Sequence, residues 1–337
     1  MKKLFAMICA LVAVLALAAC GAPAPAATSA AAATTVAAEP AATPTPEPTA
    51  SPTTTPAPTA AGLSGTDVLG NEVKLAAAPQ RIVSLTPSNT EILFALGLGS
   101  KVIGVDGISN YPAEVANVEK VGDFNGPNLE KIAGLKPDLV LAGNKLQKDI
   151  IEKLQALGLT VAATEGTTYQ STYDTIALVG ALTGATDQAK AMTDDMRRKE
   201  QIVKDAIKDK ASGKTAYIAI SYGQFGDYSA GPGTFPYEIV EMCGAKNLTE
   251  GMPVEWPQMS LEDIVKKDPA VVLLSSDIPG GTAAFTAGEG YKELTASKNQ
   301  QVFTVTSDTC MRPGPRLVEG FREFAQILCG VTISFDK

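Results

Sequence analysis

Apolar residues fall along this chain in short continuous runs separated by longer amphipathic stretches. Arg81-Ile-Val-Ser-Leu85, Lys101-Val-Ile-Gly-Val105, Leu139-Val-Leu141 and Thr160-Val-Ala162 read as strands buried on both faces. Thr86-Pro-Ser-Asn-Thr-Glu91 is a helix start with a capping residue and an early proline, and that helix continues through Leu96 to Gly97. Lys148 to Leu157 predicts another helix. The alternation restarts at Ala216-Tyr-Ile-Ala-Ile220 and recurs at Val271-Val-Leu-Leu274 and Val302-Phe-Thr-Val305. Strands separated by helices predict an α/β protein with mainly parallel sheets covered by helices. Residues 185–211 are almost all good helix formers and predict one long helix between the two halves.

The two halves are related. Phe124-Asn-Gly-Pro-Asn128-Leu-Glu130-Lys-Ile132, followed by Lys136-Pro137-Asp-Leu-Val140-Leu141, returns 132 positions later. The second copy is Trp256-Pro-Gln-Met-Ser260-Leu-Glu262-Asp-Ile264, followed by Asp268-Pro269-Ala-Val-Val272-Leu273. A domain-sized offset predicts two similar lobes, 62–184 and 212–337, with a ligand cleft between them and residues 185–211 as the link. Asn128 and Ser260 are N-caps, and Glu130 and Glu262 fall in first turns where the helix dipole favours negative charge. Helix capping alone accounts for both glutamates, and core packing alone would account for Phe124 and Trp256. However, both aromatics precede helices in loops of the kind that bind ligands in open α/β sheets.

The amino terminus sets the compartment. Lys2 and Lys3, an apolar run to Ala19 and small residues before Cys20 make residues 1–20 a secretory signal, with a run shorter than the ~20 residues a spanning helix needs. Leu17-Ala-Ala-Cys20 resembles a bacterial lipobox, which implies a lipid on Cys20 and anchoring outside the cell membrane; the alternative is a plain signal cleaved elsewhere. Residues 21–61 are nearly all Ala, Pro and Thr, too poor in apolar side chains to build a core, and read as a disordered tether.

With Lys2 and Lys3 removed, 26 basic residues face 36 acidic ones, so nucleic acid is excluded as a partner. The chain has no histidine, which removes His-based acid–base chemistry and His-ligated metals. No catalytic residues and no metal ligands are assigned. Ser212-Gly-Lys-Thr215 looks like the end of a P-loop, yet Lys208 replaces the first glycine and a strand follows it. Gly97-Leu-Gly99 lacks the third glycine of a dinucleotide fingerprint, and there is no Gly-x-Ser-x-Gly elbow. An enzyme is therefore not expected, and no cofactor; a passive surface adhesin is the other competing class. Cys243 and Cys329 both sit at predicted helix ends before glycine, either bridged or as two buried thiols, and Cys310 is left over.

The ordered set of motifs from about Arg81 onward is similar to the substrate-binding proteins of ABC importers for cobalamin and ferric siderophores. Tyr111-Pro112, Val121-Gly-Asp-Phe124, Asn128-Leu-Glu130-Lys-Ile132, Leu135-Lys-Pro-Asp-Leu-Val140, Trp256-Pro-Gln-Met-Ser260-Leu-Glu262 and Ser307-Asp308-Thr-Cys310-Met-Arg312-Pro-Gly-Pro-Arg316 carry the likeness. The resemblance implies two lobes joined by one long helix, with little closure, and a monomer that delivers its ligand to a membrane permease. It implies that Tyr111, Phe124, Tyr228 and Trp256 line the cleft, that Asp308 and Arg312 stand on a cleft loop, and that Glu130 and Glu262 dock onto permease arginines. It also implies a Cys243–Cys329 disulfide. Phe124 replaces a tryptophan of the cobalamin-binding members, and Thr309, Cys310 and Met311 replace their aromatics. The implied ligand is thus a cobalamin, with a ferric siderophore next, haem after it, and Cys310 a remote candidate for a metal ligand.

Overall fold

The computed structural model describes residues 62–123, 126–144 and 147–336. The signal segment 1–20 with Cys20, the tether 21–61 and Phe124 lie outside the described residues.

Two four-stranded parallel sheets organise the rest. In the amino-terminal sheet the spatial order is Val102–Val105, Ile82–Ser84, Leu139–Ala142, Val161–Ala163. In the carboxyl-terminal sheet it is Lys246–Asn247, Thr215–Ala219, Val271–Ser275, Val302–Val305. Each sheet runs second strand, first, third, fourth, so the repetition in sequence is a repetition of topology. The central strands Leu139–Ala142 and Val271–Ser275 are buried at every position, because helices cover both faces of a parallel sheet.

The long helix is Thr186–Ile207, 22 residues or about 33 Å. It stops short of residue 211, and Gly213 at φ 61° turns the chain into the next strand. Ala189, Met196 and Val203, seven residues apart, form its buried stripe. That stripe packs on helices Tyr169–Thr183 and Leu317–Cys329, one from each lobe. The lobes also touch directly. The Phe235 amide donates to the Thr167 carbonyl at 2.7 Å, and the Tyr169 amide donates to the Glu238 carboxylate at 2.6 Å. One hydrophobic core consequently runs from Ile82 and Ile92 through Met196 to Val271 and Phe321, while the outer face of each sheet has its own cluster.

The duplicated helices are Leu129–Gly134 and Leu261–Lys267. The Asn128 side chain accepts from the Lys131 amide at 2.9 Å, and the Ser260 hydroxyl accepts from the Asp263 amide at 3.0 Å. Both helices end at a non-glycine residue in left-handed conformation directly before proline: Lys136 at φ 48° and Asp268 at φ 41°. Proline disfavours right-handed helix at the residue before it, and here the chain leaves through the left-handed region rather than an extended one. Asp268 is held there by accepting from the Thr295 amide at 2.7 Å and hydroxyl at 2.6 Å. The copies differ just upstream. In the first, Gly122–Asp123 folds back on Gly126–Pro127; in the second, Gln258–Met259 pairs with Asp227–Tyr228.

Candidate ligand cleft

The carboxyl ends of the parallel strands point into one region, where open α/β sheets bind ligands. Thr86 follows Ile82–Ser84, Asn144 follows Leu139–Ala142, and Glu165 follows Val161–Ala163. From the other lobe, Asp277 follows Val271–Ser275 and Ser307 follows Val302–Val305. Together with Trp256 and Arg312 these residues line a cavity of about 370 Å³ between the lobes. A second cavity of about 670 Å³, walled by residues 220–225 and 277–279, adjoins it, and Asp277 lines both. The larger cavity lies within one lobe, whereas the smaller holds polar groups from both.

A charge cluster joins the lobes beside this cavity. Glu91 sits on helix Pro87–Ala95, and its side chain is 2% exposed. Arg316 grips it with two bonds, Nε to Oε2 at 2.8 Å and Nη2 to Oε1 at 2.7 Å. The Glu91 carboxylate raises the Arg316 pKa still further above its ordinary value. Arg312 reaches Glu91 Oε1 at 3.4 Å, Asn110 Oδ1 at 2.8 Å and Asp308 Oδ1 at 2.6 Å. Two guanidiniums thus face two carboxylates and balance. The Arg316 guanidinium also lies 3.8 Å over the Tyr111 ring and holds it in place.

Glu165 stands on the cleft wall and accepts a short hydrogen bond from Ser88 Oγ. Burial pushes its carboxyl above the usual carboxylate range, against the hydrogen bonds from Ser88 and Thr86, with Asp106 adding in the same direction. Asp277 accepts from Ser307 Oγ at 2.6 Å.

The expected site residues are distributed as follows. Trp256 lines the interlobe cavity, half-buried and edge-on to Phe235, with ring centroids 6.4 Å apart. Arg312 lines it too, although its charge is already committed. Asp308 belongs to the ion cluster. Tyr111 and Tyr228 are 44% and 41% exposed; the first lies under Arg316 and the second in the short strand beside Gln258. Glu130 and Glu262 are exposed on the first turns of the duplicated helices, in equivalent positions.

The three cysteines among the described residues fall in two places. Cys243, Cys310 and Cys329 carry no disulfide in this structure. Cys243 and Cys329 are neighbours at two helix ends, but no bond joins them, and the Cys329 thiol turns to the Cys243 carbonyl at 3.4 Å. Cys310 is buried against helix Leu317–Cys329 with its sulfur 3.4 Å from a Glu323 oxygen, and burial pushes its thiol well up. Its sulfur thus turns to helix Leu317–Cys329, and Cys310 is not among the residues lining the cleft cavity.

Sequence reasoning missed Glu91, Glu165 and Asp277 and gave Arg316 no role. Glu165 and Asp277 could have been flagged as carboxylates just past the carboxyl end of a buried strand, where nothing local requires one; Glu91, inside helix Pro87–Ala95, carried no such signal.

Residues 82–309 match the family model described as periplasmic binding protein. An uncharacterized ABC transporter substrate-binding lipoprotein of Bacillus subtilis, YvrC, is 37% identical over 268 residues, covering 77% of this chain and 83% of the relative. The crystal structure of the periplasmic vitamin B12 binding protein BtuF of Vibrio cholerae superposes with a TM-score of 0.65 at 28% identity, covering 74% of this chain and 96% of that one. That of a possible iron-binding (periplasmic solute-binding) protein from Staphylococcus epidermidis gives 0.63 at 29% identity, covering 74% and 98%.

Proposed function

The chain belongs to the periplasmic binding protein family, and from that membership we propose that it captures a corrinoid of the cobalamin type and hands it to the permease of an ABC importer. The observation that carries the choice of ligand is the balanced ion cluster. Both cleft arginines are held by Glu91 and Asp308, with Arg312 only 18% and Arg316 24% exposed at the side chain. An anionic ferric catecholate would have to break those pairs to gain a counter-charge, and separating a half-buried pair costs several kcal/mol. A large neutral ligand with an apolar face and a polar rim makes no such demand. Trp256 and Tyr111 offer it rigid rings with little rotamer entropy to lose.

In this reading Glu130 and Glu262 are the two handles that permease arginines grip, one per lobe. Cys20 carries the lipid anchor, residues 21–61 span the distance from the membrane, and residues 62–184 and 212–337 are the lobes. The neighbouring Cys243 and Cys329 close into a disulfide in the oxidising compartment outside the membrane. A second reading, a ferric siderophore or haem in the same role, draws on the likeness to a possible iron-binding protein and on the exposed Tyr111 and Tyr228, whose phenols can ligate iron.

Trp256 is the only tryptophan, so its emission tests the choice directly. Cyanocobalamin, a panel of ferric siderophores and haem are titrated into the full-length protein, with calorimetry on every hit. Saturable quenching by cyanocobalamin alone, below micromolar concentration, is expected. Saturation by an iron complex instead selects the second reading, and silence across the panel overturns both.

A further inference from the structure

We propose that Glu165 is a specificity-determining residue of the cleft: its carboxylate accepts hydrogen bonds from primary amides on the rim of a neutral ligand and turns away ligands that carry carboxylates there. The inference deepens the corrinoid reading and rests on it, since a cobalamin presents acetamide and propionamide side chains around its ring.

The argument begins with what the cavity offers. Glu165 and Asp277 reach its wall from opposite lobes. An ionised carboxylate has about four acceptor sites. Glu165 is bonded by the hydroxyls of Ser88 and Thr86, and Asp277 by that of Ser307, so both keep acceptor capacity. The guanidiniums that could have met it are held elsewhere, Arg316 on Glu91 and Arg312 on Asp308, Asn110 and Glu91. Among the described residues no cation pairs with Glu165. Among the described residues the cleft thus sets two carboxylates on its wall with no guanidinium left over to meet them, and a ligand that brings N–H donors suits them. A carboxylate in a closed cleft is costly until something donates to it, so amide N–H groups gain twice, by bonding and by relieving that cost. A second carboxylate in the same place would meet like charge in a medium that screens poorly. The segment that carries Glu165 is also fixed. It leaves strand Val161–Ala163 and enters the interlobe contact at Thr167, whose carbonyl accepts from the Phe235 amide.

The test compares cyanocobalamin with its peripheral monocarboxylic acids, as separate isomers, on the full-length protein at pH 7. Wild type is expected to prefer the amide over at least one isomer by about tenfold or more. Glu165→Gln keeps the shape and an acceptor oxygen but loses the charge. It should weaken cyanocobalamin by up to about tenfold and bring that isomer to within about threefold of it. Where Glu165→Gln fails to fold, Glu165→Ala serves: it should weaken cyanocobalamin by about tenfold while leaving the isomer nearly unchanged. Wild type that binds cyanocobalamin, with an amide-to-acid ratio untouched in the variants, overturns the role of Glu165 and leaves the corrinoid reading standing. Wild type that binds none of these probes overturns the corrinoid reading and this inference with it.

Discussion

Glu91 shows how much one side chain can hold. It binds both Arg316 and Arg312 across the lobes, beside the Arg312–Asn110 bond, and it is the acceptor that keeps Arg316 stacked on Tyr111. Glu91→Ala leaves two half-buried cations facing Asp308 alone and should cost about 3 kcal/mol in a denaturant titration, with weaker ligand binding as the Tyr111 ring loses its support. Glu165 makes the opposite prediction. Its pKa is raised in the fold, chiefly by desolvation, so its favourable, protonated state is complete below the ordinary glutamate value of about 4.3 and is lost as pH rises through the folded value. Glu165→Gln should therefore be more stable than wild type at pH 7 and equal to it at pH 4, by thermal melting across pH. A difference that widens toward acid would contradict the burial. Glu91 was not legible as a site. Glu91 follows Thr86-Pro-Ser-Asn-Thr90 and looks like ordinary helix-start chemistry; its partner is 225 positions away, and no local pattern reports a contact of that range.

At the scale of elements the chain was far more readable. Hydrophobic runs gave the central strands to within a residue or two, since burial on both faces leaves no polar positions to blur them. Asn128 and Ser260 cap their helices as their chemistry requires. What stayed hidden was conformational: the left-handed turns at Lys136 and Asp268 depend on where the chain goes next, not on the residue itself. Strand pairs of two residues, such as Asp227–Tyr228 with Gln258–Met259, are too short to leave a period. The duplicated helices make a functional prediction. Because Glu130 and Glu262 are exposed, Glu130→Ala and Glu262→Ala should change stability by less than about 0.5 kcal/mol and leave ligand affinity unchanged. In cells each should cut uptake severely, and loss of affinity in either variant would contradict docking. The helix ends at Cys243 and Cys329 make another. In protein taken from the oxidising side of the membrane, only Cys310 of the three should alkylate after unfolding, and reduction should cost about 2–4 kcal/mol. Three reactive thiols would leave the pair as the free neighbours described above.

For the whole molecule, two sheets of one topology were expected, but not the depth of their union. The long helix is one part of it. Helices Tyr169–Thr183 and Leu317–Cys329 flank it from opposite lobes, and a single core passes through all three. Opening the cleft by a wide swing would part buried side chains, and packed interiors resist that. Labels placed at positions 130 and 262 should therefore move apart or together by no more than about 3 Å on ligand saturation, measured by paired spin labels; a shift of a clamshell's size would refute the shared core as a restraint. That core also governs traffic. Under the proposed docking through Glu130 and Glu262, a receptor of nearly constant span would offer a permease the same two handles whether it arrives loaded or vacant. Vacant copies would then compete for the same gate, import would follow the ratio of cargo to receptor, and overproducing this protein when cargo is scarce is expected to slow the cell's supply.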